Sequence, residues 1–338
     1  VAPHYTESFS AQPKMFDAIA ELIDEAQTIV ICAHTNPDGD ALGSGLGLAM
    51  LIERVWPGKE VVNLLADDKP IPSIYRFMPQ SERFVPACQY TGTPDLFFMI
   101  DLPHPSRLNE AQAIYERAVK RVTIDHHPSD DALGDVCLSR PEVAATGVMI
   151  AEFALNRKLA LTPDIAICLL TAIVTDTGSF QYQNADSEAF EIASLLVDAG
   201  ADPALISLNV YQSFRLEYLH LASLVMGRIK TYGNGRIAYS YALQDDFTAM
   251  GALPEESEGL IDIVRSVAGA QLALFVKQVD AHTVRGNLRS KSDLDVSQVA
   301  AKLGGGGHRA AAGFSCSGTI EEVLAQALPL LTALLEGE

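Results

Sequence analysis

The chain has 338 residues, is 48% apolar and carries a formal charge of −19 at pH 7, a length that favours two domains over one and a composition that fills ordinary packed cores. Such an excess of acids excludes a general grip on long duplex nucleic acid, which needs many Lys and Arg on phosphates, but leaves a short phosphorylated ligand open if some acids hold cations. Five scattered cysteines, Cys32, Cys88, Cys137, Cys168 and Cys316, with no C-x-x-C pair, argue against a disulfide frame or zinc knuckle and point to a reducing, cytoplasmic setting.

Residues 1–12 lack the basic flank and apolar block of a secretory leader. The longest apolar runs, 41–52 and 165–174, fall short of the roughly 18 residues of a membrane span, so no membrane partner is expected. Met15, Phe16, Ile19, Leu22, Ile23 and Ala26 stand at helical spacing, which predicts a helix over 14–27. Residues 28–33 form a short, continuous apolar run rich in β-branched side chains, the pattern of a strand covered on both faces. Residues 60–65, 95–100 and 121–124 repeat it, with helical stretches between several of them. The alternation predicts an α/β fold with a doubly wound, mainly parallel sheet.

Further on, 187–199 reads as a helix stopped by Gly200 and Pro203, and 205–225 as a helical connector. From 226 the texture changes. Two β-prone runs flank Gly233-Asn234-Gly235, a hairpin signal, strands are expected at 271–280 and 283–290, and helices at 295–303 and 319–335. The expected division is a domain over 1–204, the connector 205–225, and a smaller α+β domain over 226–338.

Polar residues gather where the predicted strands end. The first strand runs into His34, Asp38 and Asp40; Asp101 follows the third; Asp125, His126 and His127 follow the fourth; Asp176 closes the apolar helical stretch 165–175. In an open α/β sheet, ligands bind beyond the carboxyl ends of the strands, so these groups are delivered to one edge. Each acid has an ordinary reading. Asn36-Pro37-Asp38-Gly39 is good turn chemistry, Asp40 could cap a helix, Asp101 could be a loop acid, and Asp176 a cap or turn residue. Adjacent histidines after a buried strand have no evident packing role, and all of these groups together fit a metal cluster better than independent turns. Gly43, Gly45 and Gly47 lack the Gly-Lys-Ser/Thr ending of a phosphate loop; they are read as packing positions that let a helix approach the sheet with its N-terminus facing the site.

His34-Thr35-Asn36-Pro37-Asp38-Gly39-Asp40, the lone Asp101, Asp125-His126-His127 and Asp176 resemble the four motifs of the DHH phosphoesterase family. Gly304-Gly305-Gly306-Gly307-His308, followed by Ala310-Ala311-Ala312-Gly313, is similar to the signature of the DHH-associated domain, so the resemblance spans residues 34–313. It implies two divalent ions, manganese foremost and magnesium or cobalt as substitutes. His34, Asp38 and Asp101 would hold the first; Asp40, Asp101, His126 and Asp176 would hold the second, with Asp101 bridging. Oxygen and imidazole donors without thiolate suit such ions, and the pair would clamp a phosphoryl oxygen and acidify a bridging water.

By the same resemblance Asp125 would accept a hydrogen bond from the ring nitrogen of His126 that is off the metal, and His127 would bind phosphate or protonate the leaving oxygen. Asp101, Asp125 and His127 are thus the expected catalytic set. In the second domain Arg289, Gly305, Gly306, Gly307 and His308 would grip the substrate phosphate, the glycine run letting backbone N–H groups crowd an anion. Arg107 completes a D-x5-R pattern with Asp101, similar to the NrnA-type oligoribonuclease and pAp-phosphatase branch, whereas the S-R-K-K-Q stretch of family II pyrophosphatases is missing. Leu102-Pro103-His104-Pro105 is an unusually proline-rich departure. The implied function is release of mononucleotides from short oligonucleotides, with 3′-phosphatase action on adenosine 3′,5′-bisphosphate beside it. A linear or cyclic dinucleotide phosphodiesterase is the alternative enzyme, and a nucleotide-binding regulator without turnover is the alternative of another class. A short oligonucleotide or nucleotide phosphate is the expected partner, and a homodimer is compatible with this reading.

Overall fold

A computed structural model of the chain describes residues 13–128 and 133–337; residues 1–12, inspected above for a leader, lie outside them. Two compact units are present, Val1–Ser213 and Phe214–Glu338.

The first unit contains α1 (Pro13–Glu25), β1 (Thr28–Cys32), α2 (Gly39–Val55), β2 (Glu60–Leu65), β3 (Val85–Pro86), β4 (Leu96–Ile100), α3 (Gln112–Arg117), β5 (Lys120–Asp125), β6 (Val136–Ser139), α4 (Thr146–Asn156), α5 (Pro163–Asp176), α6 (Ser187–Asp198) and α7 (Pro203–Tyr211). Its sheet runs β3-β2-β1-β4-β5-β6, every pair parallel. The order reverses between β1 and β4, which opens a crevice beyond their carboxyl ends. Alternation along β1 and β4 feeds two cores. Ile29, Ile31, Leu96 and Phe98 meet side chains of α1, α2, α4 and α5 on one face; Val30, Cys32, Phe97 and Met99 meet α3 and its flanking turns on the other. Two-sided burial is why these strands read as continuous apolar runs.

The glycines of α2 do serve packing, but two of them against a different neighbour from the one expected. A Cβ on Gly43 would stand 2.3 Å from the Cys168 carbonyl oxygen, and one on Gly47 would stand 2.6 Å from Leu169, both on α5; only Gly45 turns to the sheet, toward Asn63 and Ile31. Residues four apart share a helix face, so Gly43 and Gly47 form the contact with α5 while Gly45 points elsewhere.

The second unit contains α8 (Leu216–Gly227), β7 (Lys230–Tyr232), β8 (Ile237–Ala242), α9 (Gln244–Met250), α10 (Leu260–Arg265), β9 (Leu272–Gln278), β10 (Thr283–Ser290), α11 (Ser297–Lys302), β11 (Gly306–Gly307), β12 (Ala311–Ser317) and α12 (Ile320–Glu336). Its sheet runs β11-β12-β10-β9-β8-β7. The hairpin between β7 and β8 turns through Gly233, Asn234 and Gly235 at φ of 58°, 54° and 83°, the left-handed region where Gly and Asn cost least. Ile237, Leu272 and Leu274 pack with α11 and α12, and Ala238, Ala273 and Phe275 with α8, α9 and α10. The stretch 205–225 lies in two helices, α7 in the first unit and α8 in the second. Among the described residues no helix is long and apolar enough to cross a membrane.

Candidate metal centre

His34 follows β1, and its Nδ1 donates to the Thr35 carbonyl at 2.8 Å, which leaves Nε2 facing Asp101 Oδ2 at 3.5 Å. The loop is held from outside the motif. Thr35 N–H donates to the Arg107 carbonyl at 3.1 Å, and Asp67 accepts from Asn36 N–H at 3.1 Å and from Asn109 Nδ2 at 2.8 Å. Asp38 caps α2, accepting from Ala41 N–H at 3.0 Å. Asp40, in the first turn of that helix, is fully buried. Its Oδ1 accepts from Ser44 Oγ at 2.8 Å and Gly147 N–H at 3.0 Å, and its Oδ2 from Thr146 N–H at 2.7 Å.

Asp101 leaves β4 at φ 59°, a left-handed conformation that Asp tolerates better than most residues and that is held where the surroundings over-determine it. Its N–H donates to the Ile124 carbonyl at 3.0 Å, and Oδ1 accepts from Thr146 Oγ1 at 3.1 Å. His126 donates through Nδ1 to the Val143 carbonyl at 3.1 Å. Its Nε2 therefore faces carboxylates, at 3.7 Å from Asp40 Oδ2, 3.5 Å from Asp101 Oδ1 and 3.4 Å from Asp176 Oδ2.

Here one expected role is corrected. Asp125 orients His127, not His126: its Oδ1 accepts from His127 Nδ1 at 2.7 Å and from His127 N–H at 3.1 Å. Asp125 and His127 are two apart as the chain leaves β5, so their side chains share one side and His126 takes the other. The fixed tautomer of His126 comes instead from the Val143 carbonyl.

Charge is concentrated here. Burial pushes Asp101 well above its ordinary carboxylate range, with Asp40 and Asp38 adding to it. Burial also raises Asp40 and takes Asp176 up to about 7, the pull of His126 being outweighed with help from Asp40 and Asp38. Burial alone would lower His126, but Asp176, Asp101 and Asp40 carry it up to about 10. A cation bound here would favour the charged form of these carboxylates.

The donor geometry suits a cation. Two imidazoles turn Nε2 toward carboxylate oxygens at 3.4 to 3.7 Å, too long for good hydrogen bonds. Donor atoms that each stand about 2.1 Å from one ion lie roughly 3.0–3.4 Å apart. His34, Asp38 and Asp101 bring one donor atom each within 4.8 Å of one another, as do Asp40, His126 and Asp176. All six expected metal ligands are therefore gathered into two adjoining sets.

Arg107 is exposed in the segment after Asp101. The proline-rich departure there has a local explanation: His104 caps the turn Pro105–Ala111, accepting from Ser106 N–H at 3.1 Å. In the second unit, Gly306–Gly307 form the short strand β11 beside β12, and Arg289 stands in register with Ala311. A Cβ on Gly305 would lie 2.0 Å from the Gly313 carbonyl oxygen, so the glycine run permits close backbone approach. Arg289 Nη1 donates to the Leu288 carbonyl at 3.0 Å, while its buried Nε has no hydrogen-bond partner among the described residues. His308 N–H donates to the Ala311 carbonyl at 2.8 Å. Ser44, Asp67, Val143 and Thr146, all in contact with the centre or its loop, carry no motif signal in the sequence.

Known proteins agree with this architecture. Residues 28–173 match the N-terminal domain of the DHH family, and residues 234–337 match the DHHA1 domain. The chain is 29% identical over 302 residues to the bifunctional oligoribonuclease and PAP phosphatase NrnA of Thermus thermophilus, covering 89% of this chain and 88% of that protein. It is 30% identical over 301 residues to a probable protein of the same name from Streptococcus mutans, covering 88% and 92%. The crystal structure of an exopolyphosphatase-related protein from Bacteroides fragilis superposes with a TM-score of 0.88 at 26% identity, covering 96% of this chain and 98% of that one. The chain belongs to the DHH family of phosphoesterases, with a DHH domain followed by a DHHA1 domain.

Proposed function

We propose that this protein is a divalent-metal-dependent phosphohydrolase that degrades short oligonucleotides to mononucleotides and removes the 3′-phosphate of adenosine 3′,5′-bisphosphate. The observation that carries the reading is the pair of adjoining ligand sets around Asp101, each with an imidazole Nε2 turned to carboxylates. It is supported by near full-length similarity to relatives named for these two activities. His34, Asp38 and Asp101 would hold one ion and Asp40, Asp101, His126 and Asp176 the other, an oxygen and imidazole set without thiolate that suits manganese or a similar divalent ion. Bound there, such ions supply positive charge for the phosphoryl oxygens and lower the pKa of water.

The protein's own groups do the rest. Asp125 fixes the orientation of His127 by accepting from its Nδ1, as a buried carboxylate does for a catalytic imidazole, which leaves Nε2 as the atom that can hand a proton to the leaving oxygen. Arg289 keeps a buried donor without a partner among the described residues, suited to a phosphate oxygen, and we assign Gly305, Gly306, Gly307 and His308 of the same unit, and Arg107 of the first unit, to substrate binding. Five unpaired cysteines support a reducing, cytoplasmic setting.

The test is a substrate panel. Manganese-loaded protein is incubated with labelled two- to five-mers, adenosine 3′,5′-bisphosphate and cyclic dinucleotides, and release of mononucleotide or phosphate is followed. Release from the short linear oligomers and the bisphosphate is expected. Turnover of cyclic dinucleotides alone would replace the proposal by a dinucleotide phosphodiesterase, and no release from any of them would replace it by a binding protein.

A further inference from the structure

The first turn of α4 reaches the centre although no motif marks it. Thr146 is fully buried and serves two acids that come from different elements. Its N–H donates to Asp40 Oδ2 at 2.7 Å, and its Oγ1 donates to Asp101 Oδ1 at 3.1 Å. Gly147 N–H adds a bond to the other oxygen of Asp40 at 3.0 Å. One residue therefore links a carboxylate in the first turn of α2 to the carboxylate that follows β4.

The segment that leads into this turn is itself held tightly. Arg140 N–H donates to the Asp125 carbonyl at 3.1 Å, Val143 accepts from His126 Nδ1, and Ala144 accepts from Asn184 Nδ2, which also donates to the Asp176 carbonyl at 3.0 Å. The Arg140 guanidinium binds Glu152 of α4 at 2.6 Å, Glu188 of α6 at 3.2 Å and Glu142 at 2.9 Å. Gly147 seats the turn on α5, where a Cβ would stand 2.6 Å from that of Ala172.

We infer that Thr146 is a positioning residue that sets the mutual orientation of Asp40 and Asp101, and through it the divalent-ion affinity and turnover of the centre. The inference rests on the metal reading proposed above. A hydrogen bond to a ligating carboxylate fixes which lone pairs remain for the ion, and loss of such a partner typically costs roughly 10- to 100-fold in metal affinity or activity.

Thr146→Val keeps the shape and the backbone N–H but removes Oγ1, whereas Thr146→Ser keeps the donor. Manganese binding to the metal-free full chain is measured by calorimetry, and kcat and KM on a short oligonucleotide are measured in parallel. The valine variant is expected to bind manganese roughly 10- to 100-fold more weakly and to lose kcat at unchanged KM, and serine is expected to restore both. Should Thr146→Val not fold, Thr146→Ala reads the same loss. Wild-type manganese affinity and kcat in the variant lacking the hydroxyl overturn the inference, as does an equal loss in Thr146→Ser. If the wild type binds manganese but cleaves no substrate, the activity proposal fails while the calorimetric contrast still decides the role of Thr146. A wild type that binds no divalent ion overturns both.

Discussion

Replacing Gly43 by alanine would put a methyl group 2.3 Å from the carbonyl oxygen of Cys168 and 3.2 Å from the amide nitrogen of Ala172. Both are backbone atoms of α5, so no side-chain rotation relieves the overlap. Comfortable contact needs about 3.5 Å, so α2 and α5 must part by roughly 1 Å where they cross. Overpacking of this kind costs about 1–3 kcal/mol, offset by the ~1 kcal/mol that alanine gains over glycine in a helix interior. Gly45 is the internal control: its Cβ would meet Asn63 Nδ2 at 3.5 Å and Ile31 Cγ2 at 3.7 Å, ordinary contacts, so only the helix gain remains. Thermal unfolding of the metal-free chain should therefore fall for Gly43→Ala and hold or rise for Gly45→Ala, at roughly 2–4 °C per kcal/mol for a domain of this size. Asp40 rides on α2, Asp38 caps it, and Asp176 ends α5, so the same displacement should weaken manganese binding in Gly43→Ala alone. Gly43→Ala unfolding at or above the temperature of Gly45→Ala would refute the close crossing and the reasoning built on it.

Asp101→Ala should abolish turnover and the binding of a second equivalent of manganese, while Arg289→Ala should raise KM with metal stoichiometry unchanged; near-wild-type turnover in the Asp101 variant sinks the two-ion proposal. Asp125→Asn preserves volume but removes the carboxylate that His127 Nδ1 donates to, so kcat should fall about 10²- to 10⁴-fold, the usual worth of a positioned proton donor, with manganese stoichiometry intact, and loss of metal instead would show that Asp125 acts through His126 after all. In the second unit, Arg228 and the Leu243 N–H hold Asp246 below its ordinary value against the upward push of burial. A lowered folded pKa means stability that is present above the unfolded value of about 3.9 and lost as pH falls through the folded one. Asp246→Asn should cost about 1 kcal/mol at pH 7, allowing for the partial exposure of the pair, and its deficit should shrink near pH 3; a deficit in urea unfolding that is the same at both pH values contradicts the pairing.

The amino-acid pattern alone carried the α/β class, the strands at the site and the gathering of acids and histidines at their ends. A strand buried on both faces must be apolar along its length, so β1, β2, β4 and β5 announce themselves, and polar groups at their carboxyl ends stand out against that background. The edge strands did not. β3 has two residues and β6 four, too few to carry a period. The stop of α6 was legible where the signal was local, at Gly200 with φ 107°, although Pro203 opens α7 rather than closing α6, and the break between α7 and α8 at residues 212–215 has no comparable signal.

What only the tertiary structure decided is which group holds which. The motif alone assigns Asp125 to His126, whereas the chain's exit from β5 puts it on the side of His127. The glycines of α2 mark close approach in the sequence, yet the neighbour approached depends on where α5 returns. Thr146 lies 106 residues from Asp40, and a threonine at that distance leaves no periodicity, spacing or charge pattern to read. The clustered acids and histidines were visible because their chemistry is carried by residue type next to a strand end; their supports were not, because a hydrogen bond between distant segments exists only once the chain has brought them together.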